Sequence, residues 1–495
     1  MSDTHMASEI EVCFALLGTK APTARDLGRW PLLGGARQHL QTLTATYFDT
    51  PNALLACHRV GLRIRRESGK WQQTFKAEGD GLERLEIHHT LTQKTAQPFP
   101  AIDPLGLPNR AQLASLGFKK SEASQLSNPA ALGPLFTVRV RRTVWQVALG
   151  SSLLEVAYDL GSIETESDQR PVVEIEIELL SGQRADLFAA CQSLSVFLDG
   201  IGLPACLEPR SKAQRGLMLV YPESSFSDLP KARATGETGV VLSAHLLRAT
   251  QALATEVWRI LDTTDPEGPH QARVALRQIR TILKLMQSAA PEVIEDPLLT
   301  ACSALADSLG ELRDLDVALE KVVEPLHAAL ETDREVSEAL HLANLARRQI
   351  RDAIREALRQ QHVRSLLVSL IARSDALATQ HGLPTAAVFA KAQAQQLLRR
   401  VSRRKRQATH VEGRHRLRLA YKALRYAAPV LLQLGADPSL ALEAKKAARA
   451  QDKLGDDQDR AVMLHTLMRH LTVTEENCQH ERFLTLAKGF LIGRG

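Results

Sequence analysis

The clearest pattern along the chain is a strict alternation of apolar and acidic residues between Val172 and Leu180. This stretch reads Val-Val-Glu-Ile-Glu-Ile-Glu-Leu-Leu, and its mostly β-branched apolar residues predict a β-strand. Residues two apart share one face of a strand, so Glu174, Glu176 and Glu178 point the same way. Three neighbouring carboxylates repel each other unless a cation compensates them. The alternatives are a solvated sheet face and a divalent-metal site, whose hard oxygen ligands suit Mg²⁺ or Mn²⁺.

The period of the apolar positions divides the chain. In its first part, short alternating runs are separated by Gly and Pro, which predicts a strand-rich domain. A stretch with two prolines, many small polar residues and no periodicity follows, as is typical of a linker. Beyond it, Ala, Leu, Arg and Gln recur with a helical period. We therefore expect a strand-rich domain at 1–220, a linker at 221–239 and an all-helical domain at 240–495.

Several other predicted strands of the first domain also carry one charged face and one apolar face. One such strand is typical of a solvated sheet, but the repetition favours a closed barrel whose charged faces line a shared lumen. Buried charges need compensation by each other, by metal or by a charged ligand. Arginine, lysine and carboxylates together suit a polyphosphate chelated to a metal. The charged residues are Glu9, Glu11, Arg63, Arg65, Lys76, Arg84, Glu86, His88, Arg139, Arg141 and Asp159.

These segments resemble, in order, the motifs of the CYTH (triphosphate tunnel metalloenzyme) superfamily. The resemblance covers nearly all of residues 9–217. It implies an α+β domain built on an eight-stranded antiparallel β tunnel that hydrolyses triphosphates with Mg²⁺ or Mn²⁺. The matching segments are Glu9-Ile-Glu-Val-Cys13, Tyr47-Phe-Asp-Thr50, Leu62-Arg-Ile-Arg65, Phe75-Lys76, Arg84-Leu-Glu86, Tyr158-Asp-Leu-Gly161, Val173-Glu-Ile-Glu176 and Ser211-Lys212.

Carried over position by position, the resemblance implies two sets of site residues. The carboxylates that would hold metal or orient the attacking water are Glu9, Glu11, Asp159, Glu174 and Glu176. The residues that would bind phosphate are Arg63, Arg65, Lys76, Arg84, Arg139, Arg141 and Lys212.

One position departs from the family pattern, because the lysine of the first motif is Cys13 here. A thiol cannot supply an ammonium to a phosphate, and losing one such donor commonly costs about 10²–10³ in rate. Slow turnover, a different substrate, and binding without hydrolysis all remain open.

The helical part contains an internal repeat. Two segments can be superimposed, and in both a histidine is followed by three basic residues at increments of three, four and three, which keep all four on one helical stripe. Downstream, Leu309-Gly-Glu-Leu-Arg-Asp314 aligns with Leu454-Gly-Asp-Asp-Gln-Asp459, 44 residues from histidine to aspartate in each copy (314−270 and 459−415). So regular a repeat indicates a duplicated polyanion-binding face. The stripes are His270, Arg273, Arg277 and Arg280, and His415, Arg418, Lys422 and Arg425.

This helical part resembles the CHAD family (conserved histidine α-helical domain) over roughly residues 240–490. The resemblance implies two pseudo-symmetric helical bundles with a basic central surface that binds inorganic polyphosphate, whether free or in granules. A dense basic cluster precedes the second copy, at Arg399, Arg400, Arg403, Arg404, Lys405 and Arg406.

Composition narrows the function classes. The net charge is +6, and its clustering matters more than its sum. No apolar run approaches the roughly 20 residues of a membrane span, no secretory signal is recognisable, and six cysteines are scattered, so we expect a cytoplasmic protein with reduced thiols and no membrane partner. Aromatic residues make up 4% of the chain and do not interleave with both stripes, which disfavours single-stranded nucleic acid, whereas duplex phosphate contacts remain open.

The leading interpretation is metal-dependent hydrolysis of inorganic triphosphate to pyrophosphate and phosphate, with polyphosphate held by the helical domain. The alternatives are a weak or inactive polyphosphate-binding protein, because of Cys13, and a related enzyme that acts on thiamine triphosphate or ATP.

Overall fold

The computed structural model describes residues 4–67, 69–78, 83–91, 99–221, 236–289, 297–453, 456–471 and 481–493. Within these ranges it describes the backbone alone at residues 4–9, 67, 78, 83–85, 452–453, 456–459, 481 and 493. The chain forms two compact units, one of residues 1–231 with 359–368 and the other of residues 232–358 with 369–495.

The described part of the first unit is built on β-strands, as the alternating pattern predicts. They are β1 (Thr4–Leu16), β2 (Gln38–Asp49), β3 (Val60–Glu67), β4 (Lys70–Glu78), β5 (Glu83–Leu91), β6 (Gly133–Leu149), β7 (Ser152–Glu164), β8 (Gln169–Ser181) and β9 (Ala205–Leu207).

All strand pairings in this sheet are antiparallel, in the order β5-β4-β3-β2-β6-β7-β8-β1-β9. Strand β1 makes a further pairing: its residues Thr4–Ile10 pair with β5, while Glu11–Ala15 pair with β8. Strand β1 therefore pairs with both β5 and β8, which connects the two ends of the order β5-β4-β3-β2-β6-β7-β8 into a ring. This arrangement confirms the predicted antiparallel sheet domain, but the sheet has nine strands and not eight, because the short β9 is added at one end of β1.

Short helices and one long helix accompany the sheet in the first unit. Strand β8 packs against the long helix α5, whose buried residues include Leu187, Leu194 and Leu198. Helix α6 begins with a capping box, in which the Ser211 hydroxyl accepts from the Gln214 backbone N–H. The helices are α1 (Ala24–Leu27), α2 (Leu54–Cys57), α3 (Arg110–Ser115), α4 (Lys120–Leu126), α5 (Arg184–Gly200) and α6 (Lys212–Val220).

Helix α6 lies against the inner face of the strand ring. Its Ala213 and Leu217 pack on an apolar cluster that includes Phe136, Val138 and Val172. Gly216 allows this approach, because a Cβ there would clash with the Phe136 ring. The inner face is thus apolar where it contacts the body of α6, and it is charged where it meets the first turn of α6.

The described part of the second unit is entirely helical, which confirms the all-α prediction. Five residues in π-helical conformation, Leu319–Val323, separate α9 from α10. None of the described helices is both long and apolar enough to cross a membrane. The helices are α7 (Thr238–Asp262), α8 (Glu267–Ala289), α9 (Pro297–Ala318), α10 (Glu324–Ala329), α11 (Arg334–Leu358), α12 (Gln361–Ala378), α13 (Ala386–Arg406), α14 (Val411–Gln433), α15 (Ser439–Lys453), α16 (Asp456–Leu471) and α17 (Glu481–Gly493). Residues 361–368 of α12 belong to the first unit.

Each copy of the internal repeat occupies its own helix. The first basic stripe lies on α8, which packs between α7 and α9, and the second lies on α14, which packs between α13 and α15. Helices α8 and α14 also contact each other. The two stripes therefore belong to neighbouring helices, while the predicted pseudo-symmetry of two bundles stays a prediction.

Candidate active site and basic helical surface

The first turn of α6 brings two cations to the carboxylates of the inner face. Lys212 Nζ lies 2.8 Å from Asp159 Oδ2 and 2.7 Å from Glu176 Oε1, and it also pairs with Glu174. Arg215, one helical turn later, pairs with the other carboxylate oxygen of Glu174. The strand register explains the convergence, since Asp159 on β7 is directly opposite Glu174 on β8.

Arg142 completes this cluster. Its Nε and Nη2 each donate to Asp159 at 2.7 Å, a bidentate arrangement, and Nη2 also donates to Glu176. Neither Arg142 nor Arg215 is among the residues expected from the sequence. The spacing could have indicated Arg215, because it lies three residues after Lys212 on a helix. Arg142 directly follows the expected residues Arg139 and Arg141, and as an even-numbered position it lies on the opposite face of the strand from both.

The expectation for Arg139 and Arg141 is wrong in its geometry. Both lie on the outer face of β6, because Arg142 and not its neighbour is opposite the inward-facing Asp159. The Arg139 side chain is 57% exposed and pairs with Glu164 at 3.1 Å, and Arg141 is exposed as well. The inward positions before Arg142 are Val138 and Val140, which belong to the apolar cluster under α6.

Charges balance within this buried cluster. Asp159 and Glu174 are fully buried, and the three carboxylates face three cations, Lys212, Arg142 and Arg215. Burial alone would raise the carboxyl pKa values, but Lys212 and Arg142 hold the pKa of Glu176 well below its usual range and lower that of Asp159. Burial alone would lower the pKa of Lys212, but its three carboxylate partners raise it well above normal. The pairing therefore favours the ionised forms of Asp159, Glu176 and Lys212.

A second group of charges lies on the same inner face, on β1, β4 and β5. Lys76 pairs with the buried Glu86 and lies 3.8 Å from a Glu11 oxygen. His88 Nε2 is 3.2 Å from Glu86, and its Nδ1 is 3.3 Å from the Thr74 hydroxyl. Burial alone would raise the pKa of Glu86, but the hydrogen bond to His88 and the charge of Lys76 lower it strongly.

The remaining expected residues of the first unit follow this register. Arg63 and Arg65 on β3 are opposite Thr74 and Gln72 on β4, on the face that carries Lys76. Glu9 is opposite Arg84 across β1 and β5, and both positions have the parity of the inner face. The side chains of Glu9 and Arg84 lie outside the described residues.

Cys13 occupies the centre of the carboxylate face. It is opposite Glu176 in the pairing of β1 with β8. Its sulfur and one oxygen each of Glu174 and Glu176 all lie within 4.8 Å of one another. Burial, and then the two glutamates, raise the pKa of the Cys13 thiol well above its usual value, so the thiol is protonated here.

The donor set fits a divalent cation. Carboxylate oxygens are the ligands that Mg²⁺ and Mn²⁺ prefer, and Asp159, Glu174 and Glu176 converge on one point. That point already attracts a positive charge, because the Lys212 ammonium lies within ion-pair distance of all three. The ammonium therefore stands in for a cation in this arrangement.

In the second unit, the first basic stripe is anchored to its neighbours. Arg273 Nη1 donates to the Ala306 carbonyl oxygen at 2.7 Å. Gly310 makes room for this guanidinium, because a Cβ at that position would clash with Arg273 Nη1. The glycine of the repeated Leu-Gly element thus has a packing role next to the stripe.

The two repeat copies meet through Tyr426, which the sequence did not indicate. Arg277 on α8 donates from Nη1 to the Tyr426 hydroxyl oxygen on α14 at 2.7 Å. The Arg277 guanidinium carbon lies 5.2 Å from the centre of the Tyr426 ring, and that of Arg425 lies 5.7 Å from it. One aromatic ring therefore holds a basic residue from each stripe.

Positive charges crowd this surface. Burial and then the charge of Arg313 lower the pKa of His270, and Arg277 and Arg273 add to the effect. Burial and then Arg280 and Arg400 likewise lower the pKa of Lys284. Positive charges on α8, α9 and α13 therefore lie close enough together to act on His270 and Lys284.

The second stripe lies on α14. His415 and Arg425 are exposed, whereas Arg418 and Lys422 are half-buried. The basic cluster at 399–406 forms the end of α13, where cations interact favourably with the helix dipole. Asp314 is close enough to Arg273 to affect its pKa; the side chain of Asp459, its counterpart in the repeat, lies outside the described residues.

Two protein-family models match the chain. Residues 7–206 match the CYTH domain model, and residues 244–468 match the CHAD domain model. The chain therefore carries a CYTH domain followed by a CHAD domain, as the sequence motifs indicated.

Similar proteins include a curated inorganic triphosphatase from Haemophilus influenzae, 32% identical over 218 residues. The match covers 43% of this chain and 55% of the relative, so the chain spans about half the length of that protein.

Among solved structures, a CHAD domain from the plant Ricinus communis is 25% identical, with a TM-score of 0.46, and the match covers 53% of this chain and 87% of that one. An adenylyl cyclase candidate from Hippeastrum with a dominant triphosphatase activity is 19% identical, with a TM-score of 0.30, over 46% of this chain and 99% of its own. Both scores are below 0.5, so the assignment of the two domains rests on the family models.

Proposed function

We propose that the CYTH domain hydrolyses inorganic triphosphate to pyrophosphate and phosphate with Mg²⁺ or Mn²⁺. The observation that carries this proposal is the buried cluster of three carboxylates and three cations on the inner face of the strand ring. Such a cluster has partners for both components of a metal–triphosphate complex. The triphosphatase similar to this chain supports the same substrate.

The internal ion pairs can exchange for pairs with the ligand. Lys212, Arg142 and Arg215 can transfer from carboxylate oxygens to phosphate oxygens, which carry more charge and accept the same hydrogen bonds. Asp159, Glu174 and Glu176 are then free to hold the cation. A bound Mg²⁺ or Mn²⁺ would neutralise charge on the phosphate oxygens during the reaction.

The second charged group extends the phosphate path. Lys76 lies near Glu11, and Arg63 is close enough to Glu86 to lower its pKa, so cations are available on β3 and β4 as well as on α6 and β6. A linear chain of three phosphates could contact both groups. Glu11 and Glu86, which remain as carboxylates beside Lys76, are candidates to orient the attacking water.

The substrate is tested with the full-length protein and a panel of inorganic triphosphate, thiamine triphosphate and ATP. Phosphate release is measured with Mg²⁺, with Mn²⁺ and with chelator. We expect the highest kcat/KM for inorganic triphosphate. If kcat/KM is higher for thiamine triphosphate or for ATP, that compound and not inorganic triphosphate is the preferred substrate.

Cys13 gives the alternative of a binding protein a specific basis, because the first motif lacks its ammonium. Absence of release from all three triphosphates, with polyphosphate binding intact, would establish this alternative.

We also propose that the CHAD domain binds inorganic polyphosphate through the basic surface on α8, α13 and α14. The supporting observation is the proximity of its cations: Arg313 contributes, after burial, to the lowered pKa of His270, and Arg280 and Arg400 contribute in the same way to that of Lys284. Phosphate chains have one charge per unit, so they can follow such a surface. The cytoplasm as the place of action stays a prediction.

This second proposal is tested by competition between long-chain polyphosphate and duplex DNA at fixed salt. The variants are Tyr426→Phe, which removes the hydrogen bond to Arg277, and Tyr421→Phe, a buried control on the same helix. We expect polyphosphate to win and Tyr426→Phe alone to weaken its binding several-fold. Preference for DNA would overturn the proposal.

A further inference from the structure

Cys13 is placed among groups that bind metals. It shares the inner face with Glu174 and Glu176, and one donor atom from each of the three residues lies within 4.8 Å of the others. The arrangement follows from the β1–β8 register, in which Cys13 is opposite Glu176 and Ala15 is opposite Glu174. A regular pairing of two long strands therefore fixes the backbone on which this donor set stands.

The donor types select a different cation from that of an all-carboxylate site. Thiolate is a soft ligand that favours Zn²⁺, whereas Mg²⁺ and Mn²⁺ prefer oxygen. Zinc is bound by cysteine, histidine and carboxylate ligands in tetrahedral geometry, and catalytic zinc keeps three protein ligands and one open position. One sulfur and two carboxylates would leave such a position for a phosphate oxygen or water.

A positive charge already lies among these donors. Lys212 Nζ is 2.7 Å from Glu176 and also pairs with Glu174, the two carboxylates that share this donor set with Cys13. The space therefore admits a cation, and the surrounding charges favour one. Asp159 remains available to Lys212 if the ammonium moves away from the glutamates.

We propose that Cys13, Glu174 and Glu176 form a binding site for a thiophilic divalent cation such as Zn²⁺. The inference rests on the proposed triphosphatase function in that it concerns the same cavity, and it adds a thiophilic cation to the metals that this cavity would bind. Binding itself does not require turnover, so the two proposals can fail separately. The Cys13 proton leaves when the metal–sulfur bond forms.

The test uses full-length protein freed of metal with chelator and titrated with Zn²⁺ or Cd²⁺. Calorimetry gives the affinity, and Cd²⁺ bound to thiolate gives an ultraviolet charge-transfer absorption that carboxylate ligands do not give. We expect this absorption in the wild type at one equivalent. Cys13→Ser should remove it and weaken Zn²⁺ binding by at least ~10-fold, with unchanged Mg²⁺ binding.

Two further variants sharpen the result. Cys57→Ser removes an exposed cysteine on α2 and should leave the absorption intact. Cys13→Lys should remove the absorption and, if the proposed function is correct, raise triphosphate hydrolysis in Mg²⁺. Thermal unfolding confirms that each variant is folded. An absorption that persists in Cys13→Ser, or that is lacking in a folded wild type, would overturn the zinc site and leave the triphosphatase proposal standing.

Discussion

Lys212 Nζ lies 2.7 Å from Glu176 Oε1, so a residue expected to bind phosphate is paired with one expected to hold metal. Both expectations concern the ligand-bound protein, in which each group would find a partner of opposite charge on the ligand. Without ligand, the two groups compensate each other, and an uncompensated buried charge is avoided. The pairing is therefore what a polyphosphate site with both signs of charge should show in its free form.

Removing the lysine tests this exchange. Lys212→Met should destabilise the metal-free protein by about 3–5 kcal/mol, because it leaves buried carboxylates without their cation. Mn²⁺ should restore much of the loss, since it can take the place of the ammonium. The measurement is thermal unfolding with and without Mn²⁺, with the exposed Lys70→Met as control. A gain from Mn²⁺ no larger than that of wild type would refute the exchange.

A matched pair of arginine variants tests which face of β6 takes part in triphosphate hydrolysis. Arg142→Gln removes a bidentate partner of Asp159 and should lower triphosphate hydrolysis at least ~10²-fold. Arg139→Gln affects an exposed outer pair and should change stability by less than about 0.5 kcal/mol and the rate hardly at all. Steady-state kinetics and denaturant unfolding check both. A larger rate loss in Arg139→Gln than in Arg142→Gln would show that the outer face of β6, and not the inner face, takes part in hydrolysis.

The glycine beside Arg273 can be tested without touching a charge. Gly310→Ala places a Cβ against the Arg273 guanidinium and should displace it, which weakens polyphosphate binding several-fold. Gly489→Ala on α17 meets nothing within 4 Å and should stabilise the helix by up to about 1 kcal/mol. Denaturant unfolding and polyphosphate titrations distinguish the two variants. Equal polyphosphate affinity in both variants would show that Arg273 is not held in place for binding.

Polyphosphate affinity should depend on pH through His270. Burial and then Arg313 lower its pKa in the free protein, whereas a bound polyanion raises it. The complex therefore takes up a proton, and affinity should rise as the pH falls through the ordinary histidine value of about 6.5. His270→Gln should flatten this rise, measured from pH 8 to pH 5.5 at constant salt. A rise of the same steepness in the variant would assign it to another group.

Period-two patterns predicted the strands and much of the inner face, because alternation fixes which residues share a side. Glu174 and Glu176 do meet Asp159, and Lys76 meets Glu11. The pattern failed at Arg139 and Arg141, since alternation alone does not say which face of a strand is inside. There the inner positions are apolar because α6 covers them.

Contacts between distant segments were not predictable from local patterns. The repeat in the sequence indicated two basic helices, but not that Tyr426 joins them through Arg277, 149 residues away. Similarly, Cys13 could be recognised as a departure from the motif, whereas its approach to Glu174 and Glu176 depends on the β1–β8 register. Such contacts are set by tertiary packing, which single-sequence periodicity does not encode.

The central claim is most directly tested by phosphate release from inorganic triphosphate by the full-length protein with Mg²⁺, Mn²⁺, Zn²⁺ or chelator. Wild type is compared with Glu176→Gln, a change within the buried cluster. The control is Glu164→Gln, which alters contacts with Arg139 and Ser162 outside that cluster. We predict metal-dependent release that is unchanged in Glu164→Gln and at least ~10²-fold slower in Glu176→Gln. Equal rates for wild type and Glu176→Gln, or no release with any metal, would contradict the account.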